Sequence, residues 1–230
     1  MDVVELLPRP HLLRFPVGQA YLRRAGDEVT PTDAGPAGCG ARITPYAPRA
    51  AGPVRRVVLT HVHEDHAGGA AEVGALTGAE VVAQALHAPV VRGEVPGPPP
   101  ALEGWERPLH EDAPRRLPCG GFDRPARVTE AADGDVLDFG GGARVVHAPG
   151  HTDGSIALHP PSHGVLFTGD AVAASPADGN VLLGVFNVDR DRAVASFGRL
   201  AALDTEIACF GHGDPVTAGA GDVLRAAART

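Results

Sequence analysis

The sequence predicts an α+β fold in which two sheets pack together and are covered by helices. Short apolar or alternating runs recur along the whole chain. Each is bounded by Gly, Pro or Asp, which is the pattern of strands closed by turns. Helical candidates are fewer and lie between these runs. Because each sheet and helix has an apolar side to bury, this mixture favours a layered arrangement.

The predicted elements follow from these patterns in chain order. Strands are expected at residues 11–15, 20–23, 28–31, 56–59, 81–83, 136–139, 143–147, 156–159, 165–168 and 207–210. Helices are expected at the alanine-rich residues 67–77, at residues 191–203, where apolar spacing gives one buried face, and at residues 222–228. Residues 36–53 could form a helix, but Pro36, Pro45 and Pro48 disfavour one.

Residues 93–126 differ from the rest of the chain. They are dense in proline and glycine and have no periodicity, which predicts a long loop rather than a second domain. The loop holds the only tryptophan, Trp105. It could be a surface crossing pinned by that ring, or a lid over an active site. We therefore expect a single domain, residues 1–230, that includes this loop.

The composition excludes several classes of function. The chain has 230 residues and a formal net charge of −8, which argues against a general affinity for nucleic acid or anionic membranes. All its basic residues are arginine, so Schiff-base chemistry and a lysine general base are excluded. Three cysteines, Cys39, Cys119 and Cys209, form no Cys-x-x-Cys pair. They argue against a disulfide framework and a thiolate zinc site.

The location follows from similar patterns. The first sixteen residues have no basic region followed by an apolar one, so we expect no signal peptide. No segment has the roughly eighteen consecutive apolar residues that a membrane helix needs. The sequence therefore predicts a cytoplasmic protein.

The stretch LTHVHEDHAGG, residues 59–69, concentrates titratable side chains between an apolar run and two glycines. His61 and His63 leave a predicted strand, where side chains alternate with period two, so both can converge on one ion. Asp65 and His66 follow where a helix begins and could serve a second ion. Asp65 could instead be a helix N-cap. Crowding these groups has an electrostatic and desolvation cost that a divalent cation relieves, which favours a metal site.

Three further polar residues stand at strand ends beside glycine. They are His151 in APGHTDG, Asp170 in FTGDAV and His212 in FGHGDP. Singly, each could be an exposed histidine or a turn aspartate. Together they repeat the placement of His61 and His63, at positions where a backbone can approach an ion closely. The recurrence indicates that they belong to the same site.

These motifs, in this order, resemble those of the metallo-beta-lactamase-fold hydrolase superfamily. The resemblance covers nearly the whole chain, including AYLRRAGDEVTPTDAG with Asp33 at its turn. It implies a four-layer αββα sandwich with two metal ions at one rim of the sheets. It also implies the ligands: His61, His63 and His151 for the first ion; Asp65, His66 and His212 for the second; and Asp170 as the bridge. Asp33 would orient ligands. The donors suit Zn²⁺, two per chain, with Mn²⁺ or Fe²⁺ as alternatives.

Two such ions about 3.5–4 Å apart would lower the pKa of a shared water and supply a bridging hydroxide. Asp65 could accept a hydrogen bond from that hydroxide, so Asp65 and Asp170 are the expected catalytic carboxylates. Because Asp170 could bridge two ions, the chain resembles the glyoxalase II-like and lactonase-like branches more than the true zinc beta-lactamases, which generally lack a bridging carboxylate. The chain ends soon after His212, without the basic helical region that holds glutathione in glyoxalase II, which argues against that activity.

Alternative functions remain open at this point. The expected function is hydrolysis of an ester, thioester, lactone or related bond in a small-molecule substrate. The alternative is a mononuclear iron dioxygenase of the same fold acting on persulfides, which would bind one iron and consume oxygen. A metal-binding protein without catalysis is a third hypothesis. The complete second ligand set favours hydrolysis. Phe186 and Asn187 could line the pocket or belong to an ordinary loop, and the sequence leaves the oligomeric state open.

Overall fold

The computed structural model describes residues 2–5, 10–45, 52–118, 121–161 and 164–229. The chain divides into two compact units. The first comprises residues 1–97 and 112–131, and the second comprises residues 98–111 and 132–230. Both contain helices and strands, which confirms the predicted α+β class. The single domain stays a prediction. Cys119 lies outside the described residues, as do parts of the two segments 36–53 and 93–126.

The first unit is built on a seven-stranded sheet among its described residues. Its strands, in spatial order, are β1 (Asp2–Glu5), β2 (His11–Arg14), β3 (Gln19–Ala25), β4 (Glu28–Thr32), β5 (Arg56–Val58), β6 (Glu80–Gln84) and β7 (Thr129–Ala131). Strands β1 to β4 pair antiparallel, and β4 to β7 pair parallel. Because β4 and β5 are parallel neighbours, the segments that follow Thr32 and Val58 leave the sheet at the same edge.

Four short helices accompany this sheet within the described part of the unit: α1 (Gly40–Ile43), α2 (Glu64–Ala67), α3 (Ala70–Thr77) and α4 (Ala88–Val91). Alternate strand residues and the inner faces of the helices share one apolar core, which includes Leu13, Leu22, Val57, Ala67 and Val73. Burying such side chains is the main favourable term in folding. The core therefore fixes the two loops that leave β4 and β5.

The second unit contains a five-stranded and a two-stranded sheet. The larger one has the order β14 (Ile207–Phe210), β11 (Val165–Gly169), β10 (Ile156–His159), β9 (Ala143–His147) and β8 (Val136–Leu137). The smaller one pairs β12 (Val172–Ala174) with β13 (Val181–Leu183). Only β11 and β14 are parallel. Asp170 and His212 follow these two strands, so they leave the sheet at one edge.

The helices of the second unit are α5 (Arg107–Asp112), α6 (Arg190–Ala201) and α7 (Ala220–Ala227). Helix α6 begins where the Asp189 side chain accepts a hydrogen bond from the Arg192 N–H, 3.0 Å away. Its residues Ala193, Phe197 and Leu200, spaced by one helical turn, are buried. Phe197 and Leu200 pack in the same core as Leu166 of β11.

The predicted strands all overlap observed ones, and three of the predicted helices are confirmed, although residues 67–77 hold the end of α2 and all of α3. Sequence patterns missed β1, β7, β12, β13 and α4, each of at most four residues. In 36–53 the described helix is the four-residue α1. Such short elements have too few residues for a periodic signal.

The expectation that residues 93–126 form only a loop was wrong. The segment contains α5 and a 3₁₀ helix, Ala113–Arg116. Pro108 and Pro114 stand in the first turns of these helices, where a missing N–H costs nothing and a fixed φ favours the helix. Trp105 is 56% exposed, so it does not pin the segment by burial.

Among the described residues, no helix is long and apolar enough to cross a membrane.

The end of β9 is tied to α6 by Asp133. Its carboxylate accepts hydrogen bonds from the His147 N–H at 2.8 Å and from Arg199 Nη2 at 2.8 and 2.9 Å. Arg199 Nη1 also donates to the His147 carbonyl at 2.8 Å. Partial burial acts to raise the pKa of Asp133, but Arg199 and the His147 N–H outweigh it and hold the pKa below its ordinary value.

Replacing Asp133 with Asn should therefore lower the free energy of unfolding at pH 7, by less than about 1 kcal/mol because the pair is partly exposed. A lowered folded pKa stabilises the fold above the unfolded pKa, and this contribution is lost as the pH falls through the folded pKa. The difference between variant and wild type should shrink below about pH 4 in urea titrations. Asp191→Asn, at an exposed position of α6, is the control; an equal, pH-independent loss in both variants would contradict the assignment.

Candidate metal centre

Four of the predicted ligands lie together in the first unit. After β5 the chain bends at Thr60. His63 has an extended backbone (φ −64°, ψ 149°), and α2 begins at Glu64. The His61 ring centroid is 4.8 Å from that of His63 and 4.2 Å from that of His66. His66 Nε2 lies 3.5 Å from Asp65 Oδ2. These side chains form one cluster, the first-unit cluster (His61, His63, Asp65 and His66). The N-cap alternative for Asp65 was wrong, since His63 occupies the cap position.

Asp33 supports this cluster through hydrogen bonds to Thr60 and His66. It follows β4, is 3% exposed and has a left-handed backbone (φ 63°), which Asp tolerates better than most residues. Its Oδ1 accepts the Thr60 N–H at 2.7 Å, and its Oδ2 accepts the Thr60 hydroxyl at 2.8 Å. The same Oδ2 lies 2.9 Å from His66 Nδ1. One buried carboxylate thus receives three hydrogen bonds from the loop that carries the cluster.

These contacts assign the protons of two histidine rings. Facing a carboxylate oxygen, His66 Nδ1 carries the proton, which leaves the lone pair of the neutral ring on Nε2. Thr60 Oγ1 lies 3.0 Å from His61 Nδ1. Because the Thr60 hydroxyl donates its one proton to Asp33, it accepts from His61 Nδ1–H. His61 and His66 therefore both present Nε2, the nitrogen that can bind a cation.

The other three predicted ligands lie together in the second unit. His151 Nε2 is 3.8 Å and His212 Nε2 is 3.3 Å from Asp170 Oδ2. His151 is buried, Asp170 is largely buried, and the His212 side chain is 39% exposed. We call these residues the second-unit cluster. Asp170 is the central member of this cluster, because both imidazole nitrogens lie near its Oδ2.

The orientation of His151 is also set from its Nδ1 side. His151 Nδ1 lies 3.0 Å from the Val185 carbonyl oxygen. A carbonyl only accepts hydrogen bonds, so Nδ1 carries the proton and Nε2, on the side of Asp170, has the lone pair. Val185 precedes Phe186, whose backbone is left-handed (φ 61°). Phe186 and Asn187, considered above as pocket residues, thus belong to the loop that orients His151.

Glycines beside the ligands leave room for neighbouring backbone. A Cβ at Gly150 would lie 2.1 Å from the Ala193 backbone nitrogen at the start of α6, and φ there is +131°. A Cβ at Gly213 would lie 2.1 Å from the Ala174 carbonyl oxygen. The sequence argument explained these glycines by the approach of an ion. Their observed role is the close approach of another strand or helix.

Sequence analysis missed Thr60 and the Val185 carbonyl. Thr60 directly precedes His61, so its position in the motif was a usable signal. No local signal marks Val185, which is 34 residues from His151 and acts through its backbone. Histidines outside the predicted ligand set include His147 and His159, which hydrogen-bond backbone carbonyls; His163 lies outside the described residues.

Comparison with known proteins identifies the family. The family model of the metallo-beta-lactamase superfamily matches residues 15–212. The chain belongs to this superfamily. The metallo-beta-lactamase SMB-1, solved in complex with 2-mercaptoethanesulfonate, has a TM-score of 0.69 and 21% identity, with 100% of this chain and 93% of that chain covered. The fold predicted from the motifs, that of the metallo-beta-lactamase superfamily, is confirmed.

Two curated relatives are more similar in sequence. A hydroxyacylglutathione hydrolase of Cereibacter sphaeroides is 31% identical over 159 residues, which are 68% of this chain and 48% of that protein. The acyl-coenzyme A thioesterase MBLAC2 of Gallus gallus is 36% identical over 165 residues, 66% of this chain and 48% of that protein. The chain spans about half the length of these relatives.

Replacing Asp33 with Asn should lower the free energy of unfolding by about 1–3 kcal/mol. The amide keeps one acceptor oxygen but turns an NH₂ donor towards donors of Thr60 or His66. Urea titration measures the loss, and ¹⁵N NMR of the imidazole rings should show His66 losing its Nδ1–H form. Asp27→Asn, at an exposed turn of the same unit, is the control. Unchanged stability and an unchanged His66 ring would contradict the role of Asp33.

Replacing Gly150 with Ala should destabilise the fold by at least about 2 kcal/mol, because the Cβ meets the Ala193 backbone and φ is unfavourable. Gly179→Ala isolates the backbone effect, since Gly179 also has a positive φ (+74°) but no atom within 4 Å of its Cβ. That control should cost only about 1–2 kcal/mol. Equal losses in thermal or urea unfolding would show that packing against α6 does not constrain the His151 turn.

Proposed function

We propose that this protein is a dinuclear metal-dependent hydrolase that cleaves a thioester or a related small ester or lactone bond. The observation that carries the proposal is the oxygen atom 2.9–3.0 Å from Nδ1 in each of His61, His66 and His151. These contacts favour the Nδ1–H form, in which Nε2 has the lone pair that can bind a cation. Metal-binding histidines are commonly held in this way.

The proposed ligand sets combine the two clusters. His61, His63 and His151 would hold one ion, Asp65, His66 and His212 the other, and Asp170 both. The donors fit such a group chemically, since imidazole and carboxylate without thiolate suit Zn²⁺, with Mn²⁺ and Fe²⁺ as alternatives. Crowding within each cluster supports the same proposal. His61 and His66 are almost fully buried beside one another, an arrangement that a bound cation stabilises in place of protons.

Bound ions would supply a hydroxide nucleophile near neutral pH and polarise the bond to be cleaved. The side chains have separate tasks. Asp170 Oδ2 faces His151 Nε2 at 3.8 Å and His212 Nε2 at 3.3 Å, so the carboxylate and both rings would bind an ion at one point. Asp65 lies in the first turn of α2 with its carboxylate near His66 Nε2 and would orient the attacking group through a hydrogen bond. Asp33 and Thr60 fix the rings.

The thioester class is proposed from the relatives. Two proteins that share about a third of their aligned residues with this chain are named as thioester hydrolases, one for hydroxyacylglutathione and one for acyl-coenzyme A. We propose a small-molecule substrate of the same bond type. The described cysteines, Cys39 and Cys209, are buried and form no disulfide bond, which supports the proposed location in the reducing cytoplasm.

Replacing Asp170 with Ala should lower the bound metal from about two ions per chain to one or fewer and reduce turnover by at least about 100-fold. The reason is that both proposed ion sites share this carboxylate. Elemental analysis of the purified protein gives the metal content. A panel of acyl-thioesters, lactones, phosphodiesters and cephalosporins gives turnover, with thiol release from the thioesters followed colorimetrically and loss of the other substrates followed by chromatography.

Asp191→Asn, at an exposed position on α6, should retain both metal and activity. If the wild-type protein bound one iron and consumed oxygen with a persulfide, the proposed function would be wrong and the protein would be a dioxygenase. If it bound metal fully but turned over no substrate, it would be a metal-binding protein without catalysis. Unchanged metal content in Asp170→Ala would refute the ligand assignment.

A further inference from the structure

We propose that Glu106 is a positioning residue that orients His151 through the peptide group between Val185 and Phe186. This inference rests on the proposed function, in which His151 binds a metal ion. Glu106 lies in residues 98–111, the part of the second unit that precedes and begins α5. Nothing in the motifs around His151 indicates a role for this segment.

Glu106 is a buried carboxylate with two backbone partners. It is 2% exposed. Its Oε1 accepts the Phe186 N–H at 2.9 Å, and its Oε2 accepts the Glu103 N–H at 2.8 Å. Burying a carboxylate has a desolvation cost that an apolar side chain of similar size avoids. Local turn formation needs only the Glu103 contact, so the contact across 80 residues to Phe186 points to a further role.

The Phe186 N–H and the Val185 carbonyl belong to one peptide plane. The N–H end of this plane donates to Glu106, and the carbonyl end accepts His151 Nδ1–H at 3.0 Å. A carboxylate at the N–H end polarises the amide and makes its carbonyl a stronger acceptor. A stronger acceptor at Nδ1 fixes the ring and makes Nε2 a better electron donor. A carboxylate that accepted the His151 Nδ1–H directly would have the same effect on the ring. Glu106 exerts this effect through the peptide group between Val185 and Phe186.

The backbone at Phe186 explains why the peptide needs holding. Its φ of 61° is unfavourable for a residue with a Cβ, so rotation of the 185–186 peptide would relieve strain. Rotation would also turn the carbonyl away from His151. Two more contacts join the segment to this loop: the Ala101 N–H donates to the Asn187 carbonyl at 2.9 Å, and the His110 ring packs edge-on against Phe186 at 5.2 Å.

Glu106→Ala tests the inference, with Glu106→Gln as the conservative variant and Glu111→Ala, an exposed position on α5, as the matched control. In chelator competition, Glu106→Ala should bind one zinc ion about ten-fold more weakly than wild type. Glu106→Gln keeps one acceptor oxygen and should lie between the two. It also replaces Glu106→Ala in every comparison if that variant does not fold. Glu111→Ala should match wild type.

A metal-free readout separates this inference from the proposed function. In the metal-free protein, ¹⁵N NMR should show His151 held as the Nδ1–H form in wild type and as a mixture of both forms in Glu106→Ala. Trp105, the only tryptophan and the neighbour of Glu106, reports by fluorescence whether the segment stays in place. A wild type that binds no zinc would refute the proposed function alone. Equal zinc affinity and an unchanged His151 ring in Glu106→Ala, or an equal loss in Glu111→Ala, would refute the role of Glu106.

Discussion

The hydrogen bond at Nδ1 of each buried histidine of the predicted ligand set is the constraint on which the candidate centre depends. An imidazole can carry its proton on either nitrogen, and only an acceptor at one of them decides which nitrogen faces inwards. Asp33, Thr60 and the Val185 carbonyl supply these acceptors for His66, His61 and His151. Without these acceptors, each ring could turn either nitrogen towards its neighbours.

In both units the backbone also holds the predicted ligands in position. Asp33 and the first-unit cluster follow the parallel neighbours β4 and β5, and Asp170 and His212 follow the parallel neighbours β11 and β14. Loops leaving neighbouring parallel strands are held close by the sheet, and buried apolar side chains fix the strands themselves. Asp33, in the loop after β4, and Phe186, in the loop after β13, have left-handed backbones. Strain is concentrated at the residues that orient the histidines, as is common at functional sites.

Local patterns predicted most of the longer elements and missed several that have three or four residues. The strand-forming runs and the helices α3, α6 and α7 have apolar spacings long enough to detect, whereas β12 and β13 have three residues each. In residues 93–126 proline was taken as a sign of loop, although Pro114 stands in the first turn of a 3₁₀ helix. Proline ends or begins a helix according to its position, and composition does not record that position.

The sequence by itself determined which donors are present, their order, and the family to which they belong, because the motif from His61 to His66 and the later Gly-bounded residues are local features. It also determined the α+β class. Tertiary structure alone decided which groups form the hydrogen bonds that orient the donors. The hydrogen bonds from Thr60 to Asp33, from His151 to Val185 and from Phe186 to Glu106 join residues 27, 34 and 80 positions apart. Each of these three contacts involves one backbone group, the Thr60 N–H, the Val185 carbonyl or the Phe186 N–H. Such groups have no side-chain signature, so only folding brings them into place.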